Sequence, residues 1–154
     1  MTKIKYLIIF LFVVYNTNSQ TEQLISKDSL NVIYAQNYNL KKNTSPNEFS
    51  VTAHKFLKLL NSQRLIYKSL TKKNLLLNNK YDIDALNFFQ AKTYMDLMVY
   101  GNIKNNIDSI QLYKTKVSNI TSDSILIGQS FGKSAFTYLK NNMFSKAIID
   151  YQIA

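Results

Sequence analysis

Side chains able to do covalent or acid–base chemistry are sparse in this sequence. His54 is the one histidine, set between Ala53 and Lys55 with no clustered carboxylate beside it. A general base needs a partner that orients it, so His54 reads as a structural or surface residue. The absence of cysteine excludes a thiolate nucleophile, thiolate metal ligation, disulfides and lipid attachment at a cysteine. Asp82 and Asp84 lie close together, but they stand where a helix start needs a capping carboxylate. The glycines Gly101, Gly128 and Gly132 form no phosphate-cradling loop before a lysine, and no metal-ligand spacing occurs. The sequence therefore predicts a non-catalytic protein with no cofactor and no metal.

The elements that would position these residues are helical. Three glycines and one proline are too few for the tight turns of a sandwich or barrel, whereas a helical array needs few. An apolar share of 46% with 18% charged residues is globular and argues against general disorder. At 154 residues the chain could hold one ordinary domain.

The net charge of +10 suggests an anionic partner, yet Arg64 is the one arginine and only Lys41-Lys42 and Lys72-Lys73 are adjacent lysines. With abundant Asn, Ile and Tyr alongside, this is the composition an AT-rich genome produces. Scattered lysines are a solvated basic surface, and this segment is not expected to bind nucleic acid.

Residues 1–19 have the order of a secretory signal peptide. Lys3 and Lys5 start it, Tyr6 to Tyr15 is an uninterrupted apolar run, and Thr17-Asn18-Ser19 is polar, with cleavage expected before Gln20. The apolar run is about half of what a membrane-spanning helix requires. An exported protein, periplasmic or secreted, is expected, and removal of the leader leaves +8 because it takes two lysines and no acid.

Residues 20–45 read as a leading helix and loop. Ser26 or Asp28 could cap the helix, and Leu30, Ile33, Tyr34 and Tyr38 recur along it. Ser45-Pro46-Asn47-Glu48 is a capping box with proline at the first helical position. The helix it starts carries Phe49, Ala53 and Phe56, and a break near Asn61-Ser62 is expected before Leu65 and Ile66, with one long helix as the alternative. A further helix runs through Leu86, Ala91, Tyr94, Leu97 and Met98 to a stop at Gly101. Ile107, Ile110, Tyr113 and Val117 mark another, and Thr121-Ser122-Asp123 can cap the next.

The last stretch carries the most specific pattern. Phe131, Ala135 and Tyr138 share one helix face, Asn141-Asn142 makes a turn, and Ala147, Tyr151 and Ala154 share a face of the following helix. Small residues at Ala135 and Ala147 let two helix backbones approach closely. This resembles a tetratricopeptide repeat (TPR), with Asn142 where that family usually has glycine and Ser134 where it commonly has leucine. The pairs Ala53–Phe56, Ala91–Tyr94 and Ala135–Tyr138 extend the pattern upstream at separations longer than the usual repeat.

The resemblance implies an all-α, TPR-like array of antiparallel helix pairs, an alpha-alpha superhelix, over residues 46–154 with an incomplete last repeat. It also implies a scaffold or sensor module that binds a protein or peptide in a groove lined by the first helix of each pair. Lys55, Lys92 and Lys133, with Asn87 and Gln129, are the expected groove residues. Lysines there favour an acidic or C-terminal carboxylate ligand, the alternative being ordinary exposed lysines. Exported proteins of this layout resemble the sensory parts of membrane-bound regulators, so membrane association is expected only through a region further along. A free-standing exported helical protein with a structural or surface-binding role is the competing expectation.

Overall fold

The computed structural model describes residues 24–72, 83–100 and 108–154, and all regular structure among them is helical. The helices are α1 (Lys27–Asn43), α2 (Pro46–Lys72), α3 (Ile83–Tyr100), α4 (Asp108–Ile120), α5 (Ser124–Lys140) and α6 (Phe144–Ile153). The expected signal peptide, Asp82, Lys73 and the Gly101 stop lie outside the described residues.

Local chemistry accounts for most helix starts. Ser26 caps α1, its Oγ accepting from the Ser29 N–H at 3.1 Å. At α2 the capping box closes in both directions. The Ser45 N–H donates to Glu48 Oε2 at 3.1 Å, and the Glu48 N–H donates to Ser45 Oγ at 3.3 Å. Asp123 caps α5 by accepting from the Ile125 and Leu126 N–H groups at 2.8 and 3.3 Å.

The helix of Pro46 does not break at Asn61-Ser62 but continues for 27 residues, about 40 Å at 1.5 Å per residue. No glycine or proline interrupts it, and its polar residues are used where they stand. Asn61 accepts from Gln90 Nε2 at 2.9 Å, and buried Gln63 accepts the Ile25 N–H at 2.7 Å. A polar residue ends a helix only when its backbone finds better partners elsewhere.

α3 is the centre of the molecule and packs on α1, α2, α4 and α5. One apolar cluster joins Leu30, Phe56, Leu60, Leu86 and Phe89 beneath α1 and α2. A larger one runs from Phe49 and Ala53 through Tyr94, Leu97 and Met98 to Ile110, Val117, Tyr138 and Ala147. Each fully buried leucine among these contributes about 1.5–3 kcal/mol of burial free energy.

The remaining helix packings join α1 to α2, α4 to α5 and α5 to α6, while α2 and α4 meet through the His54 and Tyr113 rings and α4 and α6 through Lys114 and Asp150. α3 and α5 run parallel, because Lys92 meets Gln129 at 2.9 Å and Met98 O accepts from Thr137 Oγ1 at 3.1 Å, nearly the same sequence offset. α5 and α6 fold back on each other through Asn142, whose φ of 58° is the left-handed conformation glycine and asparagine tolerate best. The hairpin closes tightly at its far end, where a Cβ at Gly128 would stand 2.8 Å from the Ala154 carbonyl oxygen.

Candidate functional site

Three helix starts meet around one cleft. The first turn of α1 (Lys27, Asp28, Asn31), the start of α3 (Asp84, Asn87, Phe88) and the turn into α5 (Thr121 to Asp123) line a cavity of about 620 Å³. That volume suits a peptide side chain or small molecule. Buried Phe89 and Leu126 line it as well, while Phe88 offers a half-exposed ring.

The charges at its rim follow from helix physics. The N-terminal ends of helices carry partial positive charge, and Asp28, Asp84 and Asp123 stand in or before the first turns of α1, α3 and α5. Behind the cleft Arg64 of α2 fixes the lining, donating to Asn87 Oδ1 and Gln90 Oε1 at 2.7 Å each. The result is a held polar wall, an aromatic ring and three carboxylates against one lysine.

Lys92 lies one turn along α3 from the cleft, its Nζ 5.6 Å from the Phe88 ring centroid and 2.9 Å from Gln129 Oε1 on α5. Lys133 follows Gln129 by one turn and is exposed. The structure thus brings Lys92, Gln129 and Lys133 onto neighbouring helices, with Asn87 in the adjacent cleft. Lys55 is exposed on α2, which has no contact with α5 among the described residues, so it lies apart from the other two.

The repeat residues of the last hairpin divide in their surroundings. Ala135, Tyr138 and Ala147 are buried, Phe131 is half-buried, and Tyr151 is 49% exposed. Ala154 lies against Gly128 and Gly132. Asp150, not Tyr151, is the second buried residue of α6.

Asp150 belongs to a buried polar cluster that residue spacing did not reveal. Its carboxylate takes Lys114 Nζ of α4 at 2.7 and 2.9 Å, and Ser134 Oγ of α5 donates to Oδ2. Lys114 Nζ also stands 4.7 Å from the Phe131 ring centroid. Ser, Lys and Asp together are a combination that hydrolases use, but here they are closed to substrate, since Ser134 is 0% exposed. An ammonium bound to a carboxylate has no lone pair to accept a serine proton. The cluster holds α4, α5 and α6 together. The signal available in sequence was an aspartate inside the apolar run Ala147 to Tyr151.

His54 is exposed on α2. Its ring contacts are the Ser50 carbonyl oxygen, 2.7 Å from Nδ1, and the Tyr113 hydroxyl, 3.4 Å from Nε2. Burial, then the neighbouring Tyr94, push the Tyr113 hydroxyl pKa above its ordinary value. Among the described residues no three acidic or histidine side chains are grouped as a metal ion would need. Comparison with protein-family models, curated proteins and solved structures finds no match to this chain.

Proposed function

We propose that the chain is a TPR-like scaffold that holds an extended peptide across α1, α3 and α5. The observation that carries this reading is the order of contacts. α1 packs on α3 and α3 on α5, while α2, α4 and α6 flank them and are linked to one another by side-chain pairs, His54 with Tyr113 and Lys114 with Asp150. Stacked helix pairs have that order, with one layer of first helices left open to a ligand. The left-handed Asn142 and the close Gly128–Ala154 approach agree with a repeat-like hairpin at the end.

The cleft and the lysines beside it define the ligand. A basic side chain of the peptide enters among Asp28, Asp84 and Asp123 and lies on Phe88, and an acidic one reaches Lys92 and Lys133. Such a module acts by binding, as the sensory or scaffold part of an exported protein, with residues 1–19 as its leader.

A displayed random-peptide library panned on the immobilised protein tests the reading. Enriched peptides should combine basic and acidic residues and bind about tenfold more weakly to Phe88→Ala or to the pair Lys92→Glu and Lys133→Glu. The pair Lys68→Glu and Lys72→Glu on α2 should bind like the parent. No enrichment, or equal loss in the α2 pair, would overturn it.

A further inference from the structure

The last helix is turned inside out. α6 buries Ala147 and Asp150, while Phe144, Ile148, Ile149, Tyr151 and Ile153 are each 49–58% exposed. At about 100° per residue the exposed apolar side chains form two ridges. Phe144, Ile148 and Tyr151 make one and Ile149 with Ile153 the other, separated only by the small or neutral Ser145 and Gln152. Phe136 and Leu139 of α5, 42% and 43% exposed, add to the apolar surface of this hairpin.

Its charges are of one sign. From Ser124 to Ala154 the charged side chains are Lys133, Lys140, Lys146 and Asp150, and Asp150 is buried against Lys114. Lys140 Nζ lies 4.5 Å from the Phe136 ring centroid and Lys146 Nζ 5.7 Å from that of Tyr138, so the cations flank the apolar residues.

We propose that the α5–α6 hairpin is an interfacial membrane-binding surface that docks on anionic lipid. A short helix with a broad apolar face and lysine flanks lies in the headgroup region, where apolar burial and attraction to anionic lipid add. Charge complementarity selects this occupant over a second copy, which through the same face would set Lys140 and Lys146 against their own kind. Breadth selects it over a single packing helix, which covers a stripe of roughly 100° and would leave one ridge in water. No described helix is long and apolar enough to cross a membrane, so the attachment is to the surface. The site is separate from the cleft, and either can fail without the other.

Flotation with vesicles tests it. The protein should float with phosphatidylcholine vesicles containing about one-third phosphatidylglycerol, and about tenfold less with phosphatidylcholine alone. Raising salt from about 0.1 to about 1 M shortens the screening length from about 10 to about 3 Å and should release most of it. The pair Lys140→Glu and Lys146→Glu should lose binding, whereas Lys55→Glu with Lys68→Glu on α2 should not. Because the chain has no cysteine, a polarity-sensitive dye can be placed at Ile148→Cys or Leu65→Cys. Only the dye at 148 should shift to the blue on the anionic vesicles. Failure to float, equal loss in the α2 pair, or a 148 dye that stays in water would each overturn the proposal. So would a shift at 148 produced by protein concentration without vesicles, which would mark a protein interface instead.

Discussion

α3 and α6 are equally apolar in composition, yet α3 buries eleven of its 18 residues and α6 only two of its ten. The difference lies in their neighbours. α3 is packed by α1, α2, α4 and α5, so leucines, methionines and even Gln90, Thr93 and Asp96 are covered, and Phe88 beside the cleft is left open. α6 leans on one helix hairpin and anchors itself through a charged residue. Hydrophobicity predicts that a helix must be covered; the arrangement of other helices decides whether it is.

The sharpest way to break the comparison is to remove the anchor of α6. Asp150→Ala leaves the Lys114 ammonium buried and unpaired, and should cost about 3–5 kcal/mol in urea unfolding. The double change Lys114→Met with Asp150→Leu should restore most of that stability. A loss below about 1 kcal/mol in Asp150→Ala would mean that α6 is held by apolar contact alone.

On α3 the equivalent test is Leu97→Ala, which opens a cavity at a 1% exposed position and should cost about 2–5 kcal/mol. Ile149→Ala, at a site 57% exposed on α6, should change stability by less than about 0.5 kcal/mol. Similar losses at the two positions would remove the contrast between the helices.

Next in size is Ala147→Leu. Ala147 is 2% exposed in the α4–α5–α6 packing, and the added bulk should cost about 1–3 kcal/mol. Ser145→Leu on the exposed side should cost little, and an equal thermal midpoint for both variants would argue against a tight contact at Ala147.

The smallest effect belongs to the polar tie between α1 and α3, where the Tyr34 hydroxyl donates to Asp96 Oδ2 at 2.9 Å. Burial first, then the Asp96 charge and hydrogen bond, then Tyr38, push the Tyr34 pKa above its ordinary value of about 10. A group whose folded pKa is raised gives stability that is complete below its unfolded pKa and is lost as pH rises above it. The thermal midpoint of the parent should therefore fall more steeply between about pH 9 and 11 than that of Tyr34→Phe. Parallel curves would show that the tie contributes nothing. Tyr138 shifts in the same direction through burial, then Asp150 and Asp108, so the parent slope includes it in both proteins.

What the sequence made legible was local. Ser45 and Glu48 announce a helix start because the bonds they make span three residues, and Asp123 does the same. The apolar spacing of Leu86 to Met98 marks a helix, and the structure shows one there, α3, with eleven of its residues buried. Long-range pairing was not legible. Lys114 and Asp150 lie 36 residues apart, and nothing in either neighbourhood names the other. The continuity of α2 past Asn61, the alternative to a break there, rests on the same kind of pairing, since its polar residues are satisfied by Gln90 and Ile25 on distant segments. Of the residues expected along a groove, Asn87 lines the cleft, while Lys92, Gln129 and Lys133 lie beside it on α3 and α5. The cleft itself depends on how three helix starts converge, and that is a property of packing.

The contact order of the helices has a kinetic consequence. Among the described residues each helix packs on its next or next-but-one neighbour, so these contacts close loops of modest length, the hydrogen bond from Tyr34 to Asp96 spanning 62 residues. Loop-closure entropy rises slowly with length, and chains rich in local contacts cross their folding barrier quickly. Opening is expected to follow burial, with the amides of α6, which buries two residues, exchanging with solvent before those of α3, which buries eleven.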